Sequence, residues 1–336
     1  MTVGWGDLAA AISGVYNVKH AVLTVGGTWE PAPGTQYPSN TVNGLAQYVN
    51  DSLVYEVPVP YPASFGPIGG PLTSPSYQQS VDVAETWIAT WLAANPTQTF
   101  ILGGYSQGGE VVSQIAIRLM GGNLAQYLPN FVGGYTFGNP CRGAGFHAPT
   151  IADPGGRGIS AVNMTTLPTV NGQVVWADYV HSPANGDAGL DMYASVPTNQ
   201  AGKDMTDVYT SVTNLQVNNL GALTKDIVNT LVAAVEDLDG VPKVDGGLTG
   251  LLGNPLQLIT LLEGALTGSQ PIGVQAAIQA AINGIKFLAA PGGATAPHIS
   301  YLAEIAGYSN LVADAVGWLN HIATLTPARA STSAQV

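Results

Sequence analysis

A mostly parallel α/β sheet carrying an inserted helical subdomain follows from three features of this 336-residue sequence. Strand-like and helix-like patterns alternate over roughly the first 200 residues, the order a parallel sheet needs, because each strand returns to the same edge through a crossover. One strand passes through a glycine-rich turn straight into a helix. Beyond about residue 206 the strand signal fades and apolar residues recur at helical spacing.

The first strand is His20-Ala21-Val22-Leu23-Thr24-Val25, stopped by Gly26-Gly27. Residues 29–41 and 58–77 are crowded with Pro, Gly, Ser, Thr and Asn and read as irregular loops of the kind that shapes a substrate groove. Val81, Ala84, Trp87, Ile88, Trp91 and Leu92 predict a helix over about 78–94, ended by Asn95-Pro96. Thr99 to Gly104 form a second buried strand and Gly109 to Leu119 a second helix, while Phe131–Phe137 and Val174–Tyr179 supply further strands.

Three portions result: a first part of the core, 1–205; a helical insertion, 206–288; and a closing part of the core, 289–336. In the insertion Leu223, Ile227, Leu231 and Val235 make one stripe. Asp239-Gly240-Val241-Pro242, Gly253-Asn254-Pro255 and residues 268–271 divide it into three or four helices. The alternative, helices packed on the sheet as part of one domain, stays open. From Pro327 onward the Ala/Ser/Thr-rich tail reads as frayed.

Composition narrows the function. Charged residues make up 9% of the chain, against about a quarter in ordinary soluble domains, so the surface is largely neutral and suits an apolar or neutral substrate. Nine Lys and Arg against 21 Asp and Glu give a net charge of -12, which opposes nucleic-acid binding. The single cysteine, Cys141, excludes an intramolecular disulfide or a thiolate metal cluster. Mean hydropathy is +0.21, yet no run approaches the roughly 18 apolar residues of a membrane-spanning helix. Met1 to Asp7 lack the basic and apolar regions of a secretory signal, so the expectation is a soluble chain without one.

Gly104-Tyr105-Ser106-Gln107-Gly108 fits G-x-S-x-G between a predicted strand and a predicted helix, the context of an α/β-hydrolase nucleophile elbow. An ordinary glycine-rich turn matches the pattern but not this placement. Ser106 needs a base to take its proton. In this fold class the acid and then the histidine follow the serine, which removes His20 and leaves His147, His181, His298 and His321. His298 is favoured, since it lies after a Gly/Pro loop and before a helix, whereas His321 sits in an apolar helical pattern that suits a structural role. Asp178, Asp187 and Asp191 qualify as the acid; Asp191, between Leu190 and Met192, is favoured, and Asp187 after Asn185-Gly186 looks like a turn residue. For the oxyanion hole, Gln107 supplies one N–H and Thr28 a second, unless Thr28 only caps a helix.

Three stretches resemble the cutinase-like serine esterases, and within them the mycobacteriophage lysin B enzymes: Gly26-Gly27-Thr28-Trp29-Glu30, the Ser106 elbow, and Gly138-Asn139-Pro140-Cys141-Arg142. The resemblance implies a cutinase-like α/β-hydrolase fold with a helical linker between acid and histidine, matching 206–288. It implies Ser106 as nucleophile, Asp191 as acid and His298 as base, with no metal or organic cofactor. It further implies hydrolysis of the ester joining mycolic acids to arabinogalactan, by a protein made in the host cytoplasm and acting on the envelope after release, or carried on the virion. The sequence departs from the family at the acid, where Leu190 replaces the usual glycine of Gly-Asp-x-Tyr and a separate Gly186-Asp187 lies upstream. A mycolyl acyltransferase, and a virion binding protein using the fold as scaffold, are the alternatives.

Overall fold

The computed structural model describes residues 18–30, 36–48, 52–65, 74–213, 220–236, 241–244, 246–266, 272–293 and 295–331. Its centre is a five-stranded parallel sheet of β1 (His20–Val25), β2 (Val54–Pro58), β3 (Phe100–Tyr105), β4 (Phe131–Phe137) and β7 (Trp176–Tyr179), in the order β2-β1-β3-β4-β7. Every residue of β1, β3, β4 and β7 is buried, as a sheet covered on both faces requires. The edge strand β2 breaks its apolar run with Glu56 and Pro58 and was not legible as a strand; an edge position tolerates the proline. Glu56 is held inward by the Thr24 hydroxyl, 2.7 Å away.

One loop reading and one strand reading are corrected. Within 29–41, helix α1 (Tyr37–Tyr48) begins at Tyr37, because Pro38 in a first turn gives up no helical hydrogen bond. The Thr41 hydroxyl donates to the Tyr37 carbonyl at 2.9 Å. Residues 31–35 and 66–73 of the expected loops lie outside the described residues. The run 174–179 also divides. Asn171-Gly172, both at positive φ, turn a short hairpin of β5 (Thr169–Val170) and β6 (Gln173–Val174), so only Trp176–Tyr179 joins the sheet.

Helix α2 (Tyr77–Ala94) starts at a reciprocal cap between Ser76 and Gln79. It packs on α3 (Gln107–Gly121), and α1 packs on the closing helix α8 (Leu311–Leu325), so two helix pairs flank the sheet. The tail is ordered further than its composition implies: Arg329 exchanges hydrogen bonds with Thr99 at the start of β3, and Thr97 bonds the Ala330 carbonyl.

Between β7 and α8 come α4 (Gln200–Thr213), α5 (Leu220–Glu236), α6 (Pro255–Ala265) and α7 (Ile272–Leu288). Helix α7 contacts the other three and buries Ile278, Ile282 and Ile285, while α5 buries Ile227, Leu231 and Val235. The Leu223 side chain and the breaks at 239–240 and 268–271 lie outside the described residues. Among the described residues no helix is long and apolar enough to cross a membrane.

A buried polar chain ties this helical layer to the helices α2 and α3 that flank the sheet. Tyr209 of α4 donates to the Tyr77 hydroxyl at 3.2 Å, which donates to Glu110 of α3 at 2.9 Å. Gln114 satisfies the other Glu110 oxygen at 3.1 Å. Burial pushes the Glu110 carboxyl up to about 7, although both hydrogen bonds oppose the shift. Between its ordinary value of 4.5 and about 7 the folded chain therefore holds a proton that the unfolded chain has lost, and stability falls as pH rises through that window. Urea unfolding of Glu110→Gln at about pH 5 and about pH 8 should show a smaller loss of stability than the parent chain. Equal losses in the two proteins would refute the assignment.

Candidate active site

Ser106 sits where β3 turns into α3, at φ 54° and ψ −118°, a backbone conformation that costs a non-glycine residue about 1–3 kcal/mol. The turn closes because glycines flank it. A β-carbon at Gly108 would lie 2.1 Å from the Val25 carbonyl oxygen, and one at Gly104 2.4 Å from the Gly108 carbonyl oxygen. The Ser106 amide donates to Phe137 at the end of β4 at 3.0 Å, so the strained residue is anchored to the neighbouring strand. Its hydroxyl stands at the N-terminus of α3, where free N–H groups and the helix dipole favour negative charge.

His298 ends the one-turn helix Ala296–His298 and is fully buried. Its Nε2 is 2.9 Å from Ser106 Oγ and its Nδ1 is 2.7 Å from Asp191 Oδ2. With Nδ1 facing a carboxylate, that nitrogen carries the proton and Nε2 accepts from the serine. The Tyr105 hydroxyl donates to the His298 carbonyl at 2.9 Å, so the residue before the serine also holds the histidine. No helix follows at once as expected; α8 begins only at Leu311, and the intervening turn carries Tyr301. Asp191 receives three further bonds' worth of positioning: its amide donates to the His181 carbonyl at 3.0 Å, its Oδ1 accepts from the Tyr193 amide at 3.0 Å, and its Oδ2 accepts from the Tyr301 hydroxyl at 2.6 Å.

The stretch after β4 supports this pair. Gly138 has φ +55°, and a β-carbon there would lie 2.6 Å from His298 Cε1 and 2.9 Å from Asp191 Oδ2. Asn139 donates to Asp178 at 2.7 Å and to the Ser113 hydroxyl at 2.9 Å. Asp178 lies within β7 and also takes Thr136 and Trp176; burial pushes its carboxyl up while these bonds oppose the shift. Arg142 is fully buried and bonds the carbonyls of Ala194, Phe146 and Gly155, which pins the loop that follows Asp191.

The remaining candidates are engaged elsewhere. Asp187 accepts from the Ser182 amide and from the Ser309 amide and hydroxyl, and lies 3.2 Å from His181 Nδ1. Burial alone would raise its carboxyl, but His181 and Ser309 hold it below the usual value. The His147 ring bonds the Ala148 carbonyl, His321 is exposed beside Trp318, and His20 bonds Thr99 and the Ala323 carbonyl inside the sheet. The Gln107 side chain is buried and donates to the Ser64 carbonyl at 3.2 Å, leaving its amide in the first turn of α3. Thr28 is half-buried between Gly27, whose amide goes to Gln36, and Trp29, whose amide goes to the Ala63 carbonyl.

Tyr301, Tyr105 and Tyr193 were not singled out in the sequence, where a buried tyrosine beside the site is indistinguishable from a core aromatic. Gly138 stood in plain view as the first residue of Gly-Asn-Pro-x-Arg, but only the fold shows what its missing side chain makes room for.

Residues 19–174 match the cutinase family model. Lysin B from Mycobacteriophage D29 has a similar crystal structure, at 22% identity and a TM-score of 0.50 over 90% of this chain and 99% of that one. The catalytic core domain of acetyl xylan esterase from Trichoderma reesei is 16% identical over 60% of this chain and 100% of that one, with a TM-score of 0.38. A cutinase-like protein from Cryptococcus sp. is 20% identical over 59% and 97%, with a TM-score of 0.32. Among curated proteins none matches the chain. The fold is a cutinase-like α/β hydrolase.

Gly138→Ala tests the space left for the imidazole. Displacing the ring should slow labelling of Ser106 by a fluorophosphonate on the order of a hundredfold, with the far-ultraviolet circular dichroism unchanged. Labelling at the parent rate would show that the ring does not depend on this gap.

Proposed function

We propose that this chain, whose residues 19–174 match the cutinase family model, is a serine carboxylic ester hydrolase acting through an acyl-enzyme. One observation carries the reading: a continuous hydrogen-bonded line from Ser106 Oγ through the imidazole of His298 to Asp191, with steps of 2.9 and 2.7 Å. In the first half-reaction His298 Nε2 takes the serine proton as Oγ attacks the ester carbonyl, and Asp191 balances the imidazolium. The oxyanion is received by the Gln107 N–H, with Thr28 as second donor. The imidazolium then protonates the departing alcohol. In the second half-reaction His298 deprotonates water, which attacks the acyl-serine, and collapse returns Ser106 and releases the acid. These steps call on no metal or organic cofactor.

The proposed substrate is a long-chain lipid ester, specifically that joining mycolic acids to arabinogalactan. The resemblance of Gly-Asn-Pro-x-Arg and the elbow to lysin B supports it, as does a chain with only 9% charged residues. Ser106→Ala should lower turnover of p-nitrophenyl butyrate roughly 10⁴–10⁶-fold. The parent protein should release free mycolic acid from isolated mycolyl-arabinogalactan. Activity surviving the substitution sinks the mechanism; cleavage of short soluble esters alone sinks the substrate, and transfer of the acyl group to a sugar favours an acyltransferase.

Tyr301 serves here as a positioning residue, because its hydroxyl shares Asp191 Oδ2 with His298. Without it the carboxylate's full charge acts on the imidazolium, while its orientation loosens. Tyr301→Phe should therefore move the acid limb of kcat/KM to higher pH and lower kcat about tenfold with little change in KM, the loss of about one hydrogen bond. An unshifted pH profile would reduce Tyr301 to packing.

A further inference from the structure

Behind the acid loop lies a cavity of about 470 Å³ that neither Ser106 nor His298 lines. It opens between the core and the helical layer, within the roughly 300–1,000 Å³ range of small-molecule sites. Leu190 and Met192 flank Asp191 on one wall; Val196, Met205 of α4 and Phe287 of α7 complete an apolar lining. The two methionines and the surrounding prolines offer a hydrocarbon contact surface that adjusts to the chain it holds. Asn283 and Lys286, neighbours on one face of α7, stand where the cavity meets solvent.

We propose that this cavity is a second ligand site, one that takes a single-chain carboxylate: hydrocarbon against Met192, Met205 and Phe287, carboxylate on the Lys286 ammonium with the Asn283 amide beside it. Lysine suits this position because its aliphatic stem lines apolar surface while its charge stays in water. In the present state Lys286 Nζ is 3.4 Å from Glu263 Oε1 of α6, a pair whose side chains are 55% and 52% exposed. A pair so open to water is weak, and a ligand carboxylate exchanges with Glu263 for the ammonium. Glu263 therefore competes with the ligand, which gives the two substitutions opposite signs.

The cavity adjoins the site through two aromatic contacts. Phe287 meets Tyr193 edge to face at 5.7 Å, and Tyr193 lies 4.6 Å from the His298 ring. A long-chain carboxylate is also the class of product that the proposed ester hydrolysis releases; that link rests on the proposed function, whereas the site itself does not.

Isothermal titration calorimetry on the Ser106→Ala chain, which has no turnover to confuse the signal, tests binding apart from catalysis. Dodecanoate should bind saturably at one site, with dodecanol and acetate much weaker. Lys286→Glu should weaken dodecanoate about tenfold or more, and Glu263→Gln should tighten it. Met205→Trp should fill the cavity and abolish binding; should that variant not fold, the two surface substitutions decide alone. Absence of saturable dodecanoate binding, equal affinity for dodecanol, or indifference to both surface substitutions would overturn the proposal.

Discussion

The 2.7 Å bond from His298 to Asp191 spans 107 positions of sequence, and the whole helical layer lies inside that span. Bringing the ends of a loose loop together costs entropy that rises with its length. Here much of the loop is folded into helices packed around α7, so packing as well as the pair itself holds its two ends together. The layer is in turn fastened to the core at both ends of the span: near its start to α2 and α3 through Tyr209, Tyr77 and Glu110, near its finish to the loop after β7 through Phe287 against Tyr193. The acid–histidine bond thus depends on the packing of helices that contribute no residue to it.

The parallel sheet supplies the other half of the arrangement. Because every strand runs the same way, the segments leaving β3, β4 and β7 emerge at one edge, the usual place for a site on an open α/β sheet. Ser106 leaves β3, Gly138 leaves β4, and the acid loop follows β7. Gly138 to Arg142 divide the work of joining them: Gly138 leaves room for the imidazole, Asn139 joins α3 to β7 through Ser113 and Asp178, and Arg142 gathers three loop carbonyls. Burying a guanidinium against carbonyls is costly unless each N–H is met. That cost makes Arg142 selective for one arrangement of the loops it holds.

Much of the fold was legible where pattern and environment coincide. Strands β1, β3 and β4 are uniformly buried and mostly apolar because both faces are covered, and α2 carries a clear stripe. Legibility failed where a local feature has two readings. Pro38 looks like a loop residue until its place in a first helical turn is known, Pro58 looks like a strand breaker until the strand proves to be an edge, and the tail looks frayed until Thr99 meets Arg329. At the site, the glycine-rich elbow announces its own strain, so Ser106 stands out locally. Asp191 and Asp187 do not, since what separates them is contact with residues more than 100 positions away.

Those two aspartates show how environment divides one chemistry between two tasks. Each lies in the segment after β7, each is buried, and each faces a histidine. Asp187 is saturated by Ser182 and Ser309, and its partner His181 is sealed between Tyr301 and Tyr308, at ring distances of 4.5 and 5.2 Å. No serine hydroxyl among the described residues bonds the His181 ring, whereas His298 meets Ser106 Oγ. The work of the inner pair, Asp187 and His181, is mechanical. The His181 carbonyl accepts the Asp191 amide, and the His181 ring backs Tyr301, whose hydroxyl reaches Asp191. The inner pair buttresses the outer one, and the outer pair is left with a single free direction, toward Ser106.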